Sequence, residues 1–93
     1  MFDRECGVCG RVVRFRALSI NGQYVSLVCE RGHHQTAYGC RRVCVRCGET
    51  TPHVENLQWK VDGGRSAWRV AEYVCCDCGA RSEPEKQQDW KED

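Results

Sequence analysis

Nine of the 93 residues are cysteines, and most stand in pairs with two residues between them: Cys6 with Cys9, Cys44 with Cys47, and Cys75 with Cys78. A tight turn at such a spacing aims two thiolates at one point. A glycine just after the second cysteine (Gly10, Gly48 and Gly79) supplies the backbone freedom that the turn needs. Cys29-Glu30-Arg31-Gly32-His33 offers a fourth pair, with Gly32 turning the chain before a histidine. Pairs of this kind hold a tetrahedral metal ion, so the spacing predicts two zinc ions. One is held by Cys44, Cys47, Cys75 and Cys78. The other is held by Cys6, Cys9, Cys29 and His33, with His34 or Cys40 as alternative fourth ligands. An odd number of cysteines argues against a closed disulfide framework. His33 and His34 stand together without a paired carboxylate or an activated nucleophile, so no catalysis is expected.

These donors need elements to position them, and the chain supplies the same plan twice. A C-x-x-C-G pair leads into an extended run, a turn signal, a second extended run and another ligand pair. In the first copy RVVRFRALS and QYVSLV flank Asn21-Gly22; in the second HVENLQWKV and SAWRVAEYV flank Asp62-Gly63-Gly64. Both are hairpin signatures, because such turns require positive φ. Val13, Phe15 and Ala17 share one face while Arg14 and Arg16 take the other. Leu57, Trp59 and Val61 alternate in the same way with Gln58, Lys60 and Asp62, which places Trp59 in a core. The expected fold is small, mainly β and metal-stabilised: a first unit over residues 1–34, a linker over 35–43, a second unit over 44–81 and an acidic tail over 82–93. Cys76 fills a spacer position, and His53 is expected to be exposed near the start of a strand.

In this plan the chain resembles the zinc-ribbon superfamily, with residues 5–34 and 43–81 each similar to one ribbon. The tandem arrangement is similar to the small two-ribbon subunits of multisubunit RNA polymerases, and RSAWRVAEYVCCDCGARS resembles the second half of transcript-cleavage-factor ribbons. That family's metal-assisted RNA cleavage depends on an adjacent Asp-Glu pair at the hairpin tip. Here DGGRS carries Asp62 alone, so the activity is not expected. YVCCDCGAR also looks like the closing half of small phage restriction-alleviation-type ribbons. The ligand order is shared with RING fingers as well, whose sites interleave. That partition would join Cys6 and Cys9 to Cys44 and Cys47, and would imply ubiquitin-ligase work. The ten residues between His33 and Cys44 are more than a RING places there.

The net charge of +1 conceals an asymmetry: residues 1–47 carry eight arginines against three acids, whereas residues 48–93 carry six basic against ten acidic residues. Any nucleic-acid surface therefore belongs to the first half, where Arg14, Arg16, Arg41 and Arg42 are the expected contacts, with Phe15, Tyr24 and Tyr38 lying among them. Trp90 in the acidic tail is the expected protein-docking anchor. These features describe a non-catalytic adaptor that binds DNA or RNA backbone, a protein of the transcription machinery, or both. The alternative is a pure protein-interaction module, such as a small viral or regulatory inhibitor docking on an enzyme. The N-terminus MFDRECGVCG lacks the apolar stretch of a secretory signal and no run reaches membrane-spanning length. The sequence thus predicts a cytoplasmic protein, or a nuclear one in a eukaryote, with no membrane partner and no small-molecule substrate.

Overall fold

The structure, a computed structural model, describes residues 1–84 and 89–92. It is mainly β, with no helix among the described residues: β1 (Phe2–Cys6), β2 (Arg11–Asn21), β3 (Tyr24–Cys29), β4 (His34–Val43), β5 (Thr50–Asp62), β6 (Arg65–Cys75), β7 (Arg81–Ser82) and β8 (Lys91–Glu92). Strands β1 to β7 are neighbours in sequence order and pair antiparallel, and β8 returns to pair with β6.

Glycine sets both long hairpins. Asn21 pairs with Tyr24, leaving Gly22 and Gln23 as the loop. Gly22 alone has positive φ (61°), the signature of a type II′ turn rather than of an Asn-Gly loop. Asp62 pairs with Arg65 across Gly63 and Gly64, at φ 57° and 80°, as a type I′ turn requires. The bulge beside Ala17 in β2 and the one beside Leu57 at the β5–β6 ladder add local twist to each hairpin.

The segment 35–43, expected to be a linker, is almost all of strand β4. Its first half, His34–Tyr38, pairs with β3 and its second half, Gly39–Val43, with β5, so one strand serves both hairpins in turn. HQTAYGCRR lacks the apolar alternation of a half-buried strand, but each half of it pairs along one edge, first with β3 and then with β5. Gly39 stands at the changeover. A Cβ there would lie 2.1 Å from Val25 Cγ2 and 2.5 Å from the His53 carbonyl oxygen.

The sheet curls so that the first strand meets the far end of the chain, with the N-terminal ammonium donating to the Asp77 carbonyl at 2.6 Å. One core results, in which Phe2, Val13, Phe15, Val25, Leu27 and Ala37 pack with Val54, Val74 and Cys76. Alternation along β2 holds as expected, Val13 and Phe15 being buried and Arg14 and Arg16 exposed. Along β5 it does not: Trp59 is 52% and Val61 75% exposed. The reason is the length of β5. Its 13 residues outrun β4, which ends its pairing at Val54, so beyond that point β5 pairs with β6 alone among the described strands.

Arg81 and the acidic tail that follows it pair with β6 at two places: Arg81 and Ser82 beside Val74 and Tyr73, then Lys91 and Glu92 beside Trp68 and Ala67. Residues 85–88 and 93 lie outside the described residues.

Candidate metal centres and the surface around them

Each long hairpin begins and ends in a tight knuckle that brings its donors to one point. The knuckles are closed by the amides of Gly10, Gly48 and Gly79 donating to the carbonyls of Cys6, Cys44 and Cys75 at 2.8–2.9 Å. In the fourth, the amide of Gly32 donates to the carbonyl of Cys29 at 2.9 Å. All four glycines have φ between 71° and 88°, a region that a side chain would strain.

Two groups result, Cys6, Cys9, Cys29 and His33 in the first and Cys44, Cys47, Cys75 and Cys78 in the second, with the donor atoms of each group within 4.8 Å of one another. In the first, His33 Nδ1 lies 3.7, 3.2 and 3.4 Å from the sulfurs of Cys6, Cys9 and Cys29. In the second, Cys44 and Cys78 sulfurs are 3.5 Å apart, and those of Cys47 and Cys75 are 4.0 Å apart. Four donors about 2.0–2.3 Å from one tetrahedral ion would stand roughly 3.5 Å from each other, so the spacing fits a shared ion. It is far beyond the about 2.05 Å of a disulfide, and all nine cysteines are free. The two groups could therefore hold two metal ions. Each draws its four residues from one half of the chain, so the interleaved arrangement is not formed. His34 is exposed on β4, and neither it nor Cys40 joins either group.

Backbone amides prepare the sulfurs for a cation. The Cys9 amide donates to Cys6 Sγ at 3.4 Å, and those of Cys47 and Arg46 donate to Cys44 Sγ at 3.3 and 3.4 Å. These bonds favour the thiolate and hold Cys6 and Cys44 down to about 6. Cys9 does not follow: burial and the neighbouring sulfurs push it up to about 11.

Beneath the second group lies a buried pair that the sequence did not mark. Thr51 Oγ1 is 3.1 Å from Cys75 Sγ, to which its hydroxyl donates when the sulfur is ionised. His53, expected to be exposed, is 1% exposed and donates from Nδ1 to the Thr51 carbonyl at 2.9 Å. Its register partners Cys40 and Cys75 enclose it on both sides, which is why a histidine near a strand start ends inside. Partners of this kind orient metal ligands, so Thr51→Val is expected to weaken metal binding at the second group by about 10–100-fold and leave the first unchanged. Competition against a chromophoric chelator measures both steps; equal affinities in variant and parent would remove Thr51 from this role.

Two cysteines stand apart. Cys76 is 2% exposed in the core, and burial pushes its thiol up to about 12. Burial, with Glu55 beside it, pushes Cys40 on β4 up to about 11.

No family model, curated protein or solved structure matches the chain.

The expected nucleic-acid residues are divided by the sheet. Arg14 and Arg16 share the outer face of β2, where Arg14 lies 4.0 Å from the exposed Asp3. Arg42 follows Tyr38 and Cys40 on one face of β4, its guanidinium 3.8 Å over the Tyr73 ring, while Arg41 alternates to the opposite face. Phe15 is core, at 1% exposure. Trp90, expected to project as a docking anchor, is half-buried, with Lys60 4.6 Å and Arg69 4.3 Å from its ring.

A row of rings crosses the other face of the long hairpin. Tyr24 and Tyr38 are 5.3 Å apart, Tyr38 and Trp68 6.3 Å, and Trp68 and Trp59 6.5 Å, with Lys91 5.0 Å over Trp68. Sequence reasoning noted the two tyrosines but assigned Trp59 to a core, because the row forms only when β4 brings the two hairpins side by side.

Proposed function

We propose that the chain is a non-catalytic adaptor built as two tandem zinc ribbons, which binds nucleic acid in the service of transcription machinery in the cytoplasm, or in the nucleus of a eukaryote. The observation that carries the metal part is the pair of four-donor groups at tetrahedral spacing. Thiolate and imidazole donors favour zinc, and a site whose four positions all come from the protein leaves none for substrate, which marks a structural ion rather than a catalytic one. Supporting the binding part is the outer face of β2, which presents Arg14 and Arg16 to solvent in the half of the chain that carries the excess of arginine. Arg recognises phosphate through two parallel hydrogen bonds.

Binding by a few phosphate contacts is expected to weaken with salt by roughly 0.9 log units per contact per log unit of salt on duplex DNA, and by about 0.7 on single strands. Arg14→Ala with Arg16→Ala is expected to flatten that slope by one to two contacts while zinc content stays at two per chain. Fluorescence anisotropy over a salt series measures the slope. Retention of nucleic acid with no salt dependence, or none at all at low salt, would replace this reading with a protein-interaction module.

A further inference from the structure

Beyond the Gly39–Val54 pair, β4 and β5 part company, and a cleft of about 660 Å³ opens between them. Tyr24, Tyr38 and Trp59 line it, together with Asn56, Leu57 and Arg4. The three aromatic rings are 44–52% exposed, so each offers surface to a ligand. Arg4 reaches in from β1 and bridges the two parting strands, donating from Nε to Gln35 Oε1 at 2.6 Å and from Nη1 to Asn56 Oδ1 at 3.5 Å. Both partners are neutral amides. Arg4 makes no ion pair among the described residues, so this half-buried positive charge has no carboxylate in direct contact; the Glu72 carboxylate reaches it only through Asn56, whose Nδ2 donates to Glu72 Oε1 at 2.9 Å. The carboxylate that also lines the cleft, Glu55, lies beside the Cys40 thiol, whose titration burial and this carboxylate push up.

We infer that this cleft binds a single-stranded nucleic acid, with unpaired bases stacking on Tyr24, Tyr38 and Trp59 and a phosphate pairing with Arg4. The inference deepens the nucleic-acid reading above and rests on it. A row of rings accepts the face of any base, and a guanidinium lining the same cleft supplies the anion contact that a neutral or purely apolar partner would leave unmet. The spacing decides between strand forms. Within the cleft the Tyr24 and Tyr38 rings are 5.3 Å apart, wider than the about 3.4 Å between bases along one strand of a duplex. An extended strand can place successive bases on successive rings, whereas duplex bases present no free faces to them.

The test uses the zinc-loaded full chain and a dye-labelled, non-self-complementary DNA 12-mer, single-stranded and as its duplex, read by fluorescence anisotropy. The single strand is expected to bind at least about tenfold more tightly than the duplex. Trp59→Ala and Tyr24→Ala, both at exposed rings, are each expected to weaken it by about fivefold or more, with Trp59→Phe close to the parent. Arg4→Gln is expected to weaken binding and to lower its salt slope. If nucleic acid is bound but the ring variants match the parent, or the duplex is preferred, the cleft is not the site, while the reading that rests on the β2 arginines stands. If the parent binds neither form at low salt, both fall.

Discussion

Removal of metal is expected to unfold the entire chain. Among the described residues the buried apolar side chains number seventeen, and four of them, Cys6, Cys29, Cys44 and Cys75, are members of the two donor groups. What remains is a thin layer around Phe2, Phe15, Val25, Leu27, Val54 and Val74. Structural zinc contributes on the order of 10–16 kcal/mol in small finger peptides, as much as the whole net stability of an ordinary domain, about 5–15 kcal/mol. No such core replaces it. Elemental analysis is expected to find two zinc ions per chain, and a strong chelator at neutral pH to abolish the β signal in circular dichroism. Cys75→Ser should leave one ion, while Cys76→Ser, at a core thiol outside both groups, should retain two. Strand content that survives complete removal of metal would refute the dependence.

The second large effect belongs to a glycine that binds nothing. Gly39→Ala is expected to destabilise the protein by about 3 kcal/mol, at the upper end of ordinary overpacking. The added methyl would meet Val25 Cγ2 at 2.1 Å, which a rotamer change could relieve. It would also meet the His53 carbonyl oxygen at 2.5 Å, which only backbone movement can relieve. That movement would pull on β4 where it changes partners and on the strand that carries Thr51 beside Cys75. Gly7→Ala is the control, since nothing lies within 4 Å of its added carbon and its φ is ordinary, and it should fall within about 0.5 kcal/mol of the parent. Denaturant midpoints in excess zinc compare the two; equal midpoints would show that β4 yields without cost.

What the sequence disclosed and what it hid follow from the range of the interactions. The donor groups were legible because each knuckle is local: two cysteines and a glycine within five residues define its turn, and the hairpin between knuckles is announced by its own glycines. The choice of His33 over His34 was legible too, since Gly32 places the next residue toward the sulfurs. Strand β4 was not legible, because a polar strand is made by its neighbours, and those neighbours are two hairpins folded elsewhere in the chain. Trp59 shows a different limit. Alternation assigned it correctly to the face of Leu57 and Val61, but a face is buried only where something covers it, and β5 runs past its partner β4. His53 failed in the opposite sense, since a short polar stretch, TTPHVE, gave no sign that Cys40 and Cys75 would flank it. Arg4 is likewise one charge among several in MFDRECGVCG until the curl of the sheet carries β1 to the gap between β4 and β5.

Strand β6 would, by itself, offer solution a row of unsatisfied amides and carbonyls, the kind of margin on which a second copy can add its own strand. The C-terminal residues occupy that margin near both of its ends, through Arg81–Ser82 and Lys91–Glu92, and Pro84 between them has no amide hydrogen to offer a newcomer. On the other margin, β1 is five residues long and reads Phe-Asp-Arg-Glu-Cys, so an incoming strand would have to align against alternating charges. Growth of the sheet from molecule to molecule is thus opposed at one margin by occupancy and at the other by charge. A chain made almost wholly of strands thereby carries its own safeguard against fibrous self-assembly.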